Sequence, residues 1–113
     1  MSESAPITSV YATFGSEAEA ERIGRRLVEE RLVACVNILG RCRSIYRWEG
    51  KIEETEEVAA LFKTTGDGTP ALLARLAELH AYDVPAAVAW PIAEALPAYS
   101  DWVRKATERQ PSS

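Results

Sequence analysis

Histidine is nearly absent from this sequence. Its 113 residues contain one, His80, and only two cysteines, Cys35 and Cys42. A nitrogen and sulfur metal cage needs several such ligands at short spacing, of the C-x-x-C or H-x-x-x-H kind. One chain therefore cannot supply a conventional zinc or iron centre, and a tight site would need carboxylates or a second subunit. Two cysteines seven residues apart are not a disulfide framework. On one strand they would fall on opposite faces, so both are expected as free thiols in a reducing compartment. Cys35, inside an apolar run, reads as a small packed residue.

Basic charge is also scarce. Lys plus Arg is 13 against 17 for Asp plus Glu, a net charge of −4, which argues against nucleic acid as a partner. No apolar run approaches the ~20 residues of a membrane-spanning helix. The opening MSESAPITSV lacks the basic and apolar regions of a signal peptide, so the expected compartment is the cytoplasm. Gly66-Asp67-Gly68 has neither the length nor the Lys-Ser/Thr of a phosphate loop. Neither Cys35 nor Ser44 sits in a nucleophile motif. An acylphosphatase would need an anion-cradling loop with an arginine after its first strand, whereas TFGSEAEA is acidic there. No enzymatic activity is expected.

What is present reads as one domain over residues 1–106 with a disordered polar tail over 107–113. Ile7 to Phe14 is β-branched and aromatic, a first strand. Ser16 and Glu19 form an S-x-x-E capping box, and Ala20, Ile23, Leu27 and Val28 then recur at helical spacing against a charged face. Val33 to Leu39 is nearly all apolar and predicts a strand buried on both faces. Thr69 is the expected N-cap and Pro70 the first residue of a second helix, on which Leu72, Leu73, Leu76, Leu79 and His80 make an apolar stripe. His80 at its end also suits the helix macrodipole. Ala86 to Ile92 predicts a fourth strand, with Pro91 at its end or on a sheet edge. A short helix opens at Pro97 and places Tyr99, Trp102, Val103 and Ala106 on one face. The order β-α-β-β-α-β plus a small helix is the split βαβ arrangement, an α+β ferredoxin-like sandwich with two helices on one face of an antiparallel sheet.

The middle of the chain carries the functional signal. Glu49-Gly50 makes a hairpin turn between Ile45–Trp48 and Lys51-Ile52. The returning strand begins with Glu53, Glu54, Glu56 and Glu57 and only later becomes apolar, so the hairpin projects from the core as an arm. Its carboxylates are expected to pair with Arg41, Arg43 and Arg47 across the ribbon. Tyr46 and Trp48 project from one face of the tip. A lone ribbon is marginal in water, so the arm is expected to dock on another copy, closing a ring with Tyr46 and Trp48 at the interface.

The blocks ACVN (Ala34 to Asn37), SIYRWEGK (Ser44 to Lys51), KTT (Lys63 to Thr65), LHAYDVP around His80 and YSDW resemble the CutA divalent-cation tolerance family over nearly the whole chain. The resemblance implies a tight homotrimer of ferredoxin-like subunits whose arms embrace the neighbour, an architecture similar to the PII signalling proteins, and no defined reaction. It also implies a copper site built from a first-strand cysteine and histidine at the end of the second helix. Here Ala12 takes the cysteine position and His80 stands alone where the pattern can carry two histidines. Ala81 replaces the usual proline and Asp83 a common glutamate. The expectation is a trimeric cytoplasmic protein involved in the response to metal ions, with a weak site for Cu²⁺ or another divalent cation at His80. The alternative is a PII-like small-molecule sensor with an inter-subunit cleft lined by Trp48, Lys63, His80, Tyr82 and Asp83. A purely structural role of the trimer, serving an unidentified protein partner, is the third.

Overall fold

Strand β1 (Ile7–Phe14) is one of the two central strands of a four-stranded antiparallel sheet of order β2-β3-β1-β4, formed with β2 (Cys35–Trp48), β3 (Lys51–Thr65) and β4 (Ala87–Pro91). Helices α1 (Glu17–Glu29), α2 (Thr69–Leu79) and α3 (Pro97–Ala106) complete the chain. This is the ferredoxin-like βαββαβ sandwich with an added C-terminal helix. The computed structural model describes residues 6–108. Most of the expected polar tail, 107–113, lies outside them; its first residue, Thr107, caps α3, donating through Oγ1 to the Val103 carbonyl.

Strand alternation assigns the two faces. Val10, Ala12 and Phe14 of β1 and Val58, Ala60 and Phe62 of β3 point one way and are buried beneath α1 and α2, against Ala20, Ile23, Leu27, Leu72 and Leu76. The other face is open except at one end, where Ile7, Ala34 and Val103 of α3 form a smaller cluster. Val28, expected on the apolar stripe of α1, is instead 40% exposed because the stripe's contact with the sheet ends at Leu27.

The ends of the helices differ in detail from expectation. Ser16 caps α1, its hydroxyl accepting from the Glu19 amide at 3.1 Å. The Glu19 carboxylate reaches past the cap residue to the Gly15 amide. At the other end Arg31 takes φ 63°, its amide bonding to the Val28 carbonyl while Leu32 bonds to Leu27. Those two bonds make a Schellman motif, with arginine where glycine is usual. The N-cap of α2 is Gly68, not Thr69. Thr69 is already helical, and its hydroxyl donates back to the Thr65 carbonyl, so it cannot also cap.

The expected strand buried on both faces is corrected. β2 is an edge strand: Val36 packs partly against the core beneath α1, and beyond it Ile38 and Leu39 are open, with Leu39 58% exposed. Leu39 is also the extra residue of a β-bulge between Ile38, opposite Ala60, and Gly40, opposite Ala59. The bulge overturns the parity argument for the thiols. Cys35 pairs with Lys63 and Cys42 with Glu57, an even step on β3, so both cysteines lie on the open face. They remain free, since roughly 20 Å of strand separates them.

Beyond the bulge, β2 and β3 continue as the arm. The turn has φ 51° at Glu49 and 80° at Gly50, a two-residue turn of the type whose twist matches a hairpin. Arg41 pairs with Glu56 at 3.5 Å and Arg43 with Glu54 at 3.3 Å, both well exposed, so they orient the ribbon more than they stabilise it. β4 is the other edge and ends on Pro91, where no ladder donor is needed. On α3, Val103 is buried with Tyr99 and Ala106 against it, but Trp102 is 47% exposed and stacks on Tyr99. The shared face predicted for these four therefore holds for three.

Candidate functional site

The loop after α2 is where the single histidine acts. His80 is the C-cap of α2, with extended backbone that turns the chain out of the helix. Its side chain is buried and stacked on Phe14 of β1, ring centroids 4.9 Å apart. Nε2 lies 2.7 Å from the Thr13 carbonyl oxygen, and Nδ1 lies 3.1 Å from the Tyr82 amide. A carbonyl only accepts and an amide only donates. The ring is therefore the neutral tautomer with its proton on Nε2, donating to Thr13 and accepting from Tyr82. Glu19 completes the arrangement: one carboxylate oxygen accepts from the Gly15 amide and the other from Ala81. His80 and Glu19 together tie the loop to the end of β1 and the start of α1.

The tied loop forms one wall of an open cleft of about 680 Å³ on the open face of the sheet. Tyr82, Asp83, Val84 and Ala86 line it from the loop, and Tyr11 and Thr13 from β1. The arm supplies the opposite wall, with Ser44, Tyr46 and Trp48 from β2 and Thr55 and Glu57 from β3. These arm residues converge because register places all of them on one face of the ribbon. The Tyr46 hydroxyl is 3.4 Å from Thr55 Oγ1. Tyr82 packs on His80, ring centroids 4.7 Å apart. Burial, then the hydrogen bond its phenol donates to Glu57, push the Tyr82 pKa up to about 12. The Tyr11 phenol is also pushed up, first by burial and then by its electrostatic interaction with Cys42 and Glu57.

Of the residues singled out in the sequence, Tyr46, Trp48, Tyr82 and Asp83 thus meet at one cleft. His80 stands behind its wall and does not line it. Lys63 is elsewhere: it pairs with Cys35 and Ser9, six residues along β3 from Glu57, and its amino group reaches Asn37 at 3.5 Å. Sequence reading missed Tyr11, Thr13, Glu19 and Glu57. Glu57 read as one of a run of ribbon charges, and Glu19 as a helix cap. Parity within β1, which sets Tyr11 and Thr13 apart from Val10, Ala12 and Phe14, was the available signal for two of them. Another hollow, of about 400 Å³ between α1 and Leu79, is lined mainly by Arg22, Arg25 and Arg26 and holds none of the candidates.

The donor set of one chain does not fit a resident copper ion. Both nitrogens of His80 are engaged in hydrogen bonds within the loop clamp, and Ala12 offers no ligand. Among the described residues no three His, Cys, Asp or Glu side chains come together as a metal-holding group. No helix among them is long and apolar enough to cross a membrane.

A family model described as CutA1 divalent ion tolerance protein matches residues 8–106. The chain belongs to this family. A divalent-cation tolerance protein CutA of Thermus thermophilus is 49% identical over 98 residues, covering 87% of this chain and 95% of that protein. Among solved structures, CutA1 from Oryza sativa superposes with a TM-score of 0.91 at 32% identity, covering 96% of this chain and all of that one. A protein from Archaeoglobus fulgidus described as a periplasmic divalent cation tolerance protein gives 0.87 at 37% identity, covering 90% and 99%. CutA family membership and the fold are therefore both in place, and the family is named for tolerance to cations and for no reaction.

Proposed function

We propose that this CutA chain serves divalent-cation tolerance as a homotrimer, the arm of each copy lying on its neighbour, with no tight copper site inside any one chain. The observation that carries the assembly is the apolar surface one chain leaves open. Leu39, Ile45, Ile52, Val88 and Trp90 are between 48% and 70% exposed, along both edge strands and on the face of the arm opposite Tyr46 and Trp48. Surface of that kind on a two-stranded ribbon is the mark of an interface. Three copies is the number the family resemblance implies, and a ring satisfies arm-to-body contacts that a two-fold axis does not require.

In this reading His80 is a clamp for the loop, and the cation makes weak contacts with carboxylates or with groups from more than one copy. The compartment is read as reducing, from the free thiols of Cys35 and Cys42. Calorimetric titration of Cu²⁺ into wild type and His80→Ala tests the metal reading, with weak and matching isotherms expected. Tight stoichiometric binding that vanishes in the variant would overturn it. Growth of cells lacking their own homologue, in graded Cu²⁺ with and without this chain, tests the role itself; equal growth would count against it. Fractionation beside a periplasmic marker tests the compartment.

A further inference from the structure

Strand β1 ends where the arm begins. Its last partner on β3 is Val58, opposite Phe14, and from Glu57 outward β3 has only β2 beside it. A two-stranded ribbon that leaves a sheet in this way can swing about its root, since it has little stability of its own. Two features sit at that root. On the β2 side, the bulge between Ile38 and Gly40 bends the strand, with Gly40 at φ 111°. On the β3 side stands Tyr82. Its phenol oxygen lies 3.3 Å from where a Cβ on Gly15 would be, so the ring covers the end of β1, and its hydroxyl donates to the Glu57 carboxylate.

Tyr82 is anchored from behind. It packs on His80 at 4.7 Å between ring centroids, His80 stacks on Phe14 at 4.9 Å, and Phe14 meets Phe62 edge to face at 6.2 Å. These rings form a column from the core to the root of the arm. The hydrogen bonds of His80 to the Tyr82 amide and the Thr13 carbonyl hold its outer end, and Glu19 ties Gly15 to Ala81 beside it. Glu57 makes no salt bridge among the described residues, whereas Glu54 and Glu56 pair with Arg43 and Arg41 across the ribbon. We propose that Tyr82 is a brace: carried on this column, it holds Glu57 and so sets the direction in which the arm leaves the body.

The brace rests on the homotrimer reading and deepens it. An arm already aimed at its neighbour gives up less conformational freedom on docking, so the bond acts before the second copy arrives. Tyr82 and His80 are then positioning residues for assembly, and neither has to touch the partner. With its pKa pushed up to about 12, the Tyr82 phenol keeps its proton at any physiological pH and stays a donor throughout.

Refolding of the full chain from urea at a series of concentrations tests it, circular dichroism following the folding of each chain and light scattering its assembly. Tyr82→Phe keeps the ring and removes only the hydroxyl, and Glu57→Ala removes the acceptor. Each should leave the concentration-independent folding rate unchanged and slow assembly severalfold, with dissociation of the finished assembly little altered. The double variant should be no slower than either single one, since both remove the same bond. Glu57→Gln, which keeps an acceptor, should recover part of the rate. A loss confined to dissociation would overturn the brace, because a contact with the neighbouring copy acts there. Effects that multiply in the double variant, or a Tyr82→Phe chain that assembles as fast as wild type, would also overturn it while leaving the homotrimer reading intact. A wild type that stays a single chain at every concentration would sink both.

Discussion

The imidazole of His80 donates to the Thr13 carbonyl oxygen across 2.7 Å, linking residues 67 apart in sequence. Because Nδ1 accepts from Tyr82 at 3.1 Å, the same ring fixes both the end of β1 and the loop leaving α2. The single histidine thus does locally what a longer loop motif would otherwise have to do. It holds an extended segment, with few backbone bonds of its own, against the sheet.

His80→Ala should therefore act on the loop first. Removing two buried hydrogen bonds and the stack on Phe14 is expected to cost about 2–3 kcal/mol of stability. Amide exchange at Ala81 and Tyr82 should rise more than in the centre of β1. Unchanged protection at those two amides would show that the clamp is not what holds the loop.

The fold was largely legible because Val10, Ala12 and Phe14 alternate strictly and Leu72 and Leu76 recur at helical spacing, patterns that a buried face imposes on any sequence. The cleft was half legible. Tyr46, Trp48, Tyr82 and Asp83 stood out as polar and aromatic groups that a core does not need, yet nothing local said that Lys63 would fall at the far end of β3. One unseen residue did most of the damage. Leu39, a bulge with no signature of its own, reversed the parity of β2, so that Cys42 shares a face with Cys35. An edge strand can also carry as many apolar residues in a row as a central one, which is why Val33 to Leu39 suggested burial on both faces.

Glu30 gives the molecule an acid-sensitive tie between α1 and α2. Its carboxylate takes two hydrogen bonds from Arg75, at 2.9 and 2.8 Å, and one from Arg26 at 2.7 Å. Those bonds, Arg75 first, hold its pKa down at about 2 against the usual 4.5. The depressed folded-state value means the stabilisation is present above pH 4.5 and is lost as the pH falls toward 2. Glu30→Gln should lower stability at pH 7 and flatten the decline between those limits, read from urea midpoints across the range. A parallel pH profile for variant and wild type would remove Glu30 from the account.

Gly24 allows α1 to lie close on β2: a Cβ there would stand 2.9 Å from Val36 Cγ1. Alanine improves intrinsic helix propensity by about 1 kcal/mol, but overpacking of a closed contact commonly costs about 1–3 kcal/mol. Gly24→Ala is expected to be net destabilising, and Gly24→Ala with Val36→Ala to recover part of the loss. Denaturant midpoints of the three proteins check it; a more stable single variant would mean the helix can shift freely.

Arg31 and Glu49 are the two non-glycine residues with positive φ among those described, at 63° and 51°. A left-handed conformation disfavours a side chain by about 1–2 kcal/mol, which glycine avoids. Arg31→Gly should therefore raise stability by up to about 1 kcal/mol through the Schellman turn of α1. Glu49→Gly should do so only if the arm's turn forms in the folded reference state and stays free of contacts. A midpoint gain in the first variant and none in the second would identify Glu49 as a residue held by a neighbouring copy.

Trp48 decides whether the arm docks. It lies next to the turn on the open face, 46% exposed in one chain, with Tyr46 two residues before it on the same side. Its cross-strand partner is Lys51, which offers little apolar cover. If a second copy buries this ring, Trp48→Ala should cost more than about 2 kcal/mol per interface, the usual toll for truncating a buried aromatic anchor. Light scattering across a dilution series should then show the variant dissociating at concentrations where wild type stays assembled, with a lower melting temperature that depends on concentration. Tyr46→Ala should shift in the same direction by less, its hydroxyl already being engaged with Thr55 inside its own arm. An assembly and melting temperature unchanged in Trp48→Ala would leave the tip of the arm in solvent and confine the contact to the edge strands, where Leu39, Val88 and Trp90 are exposed.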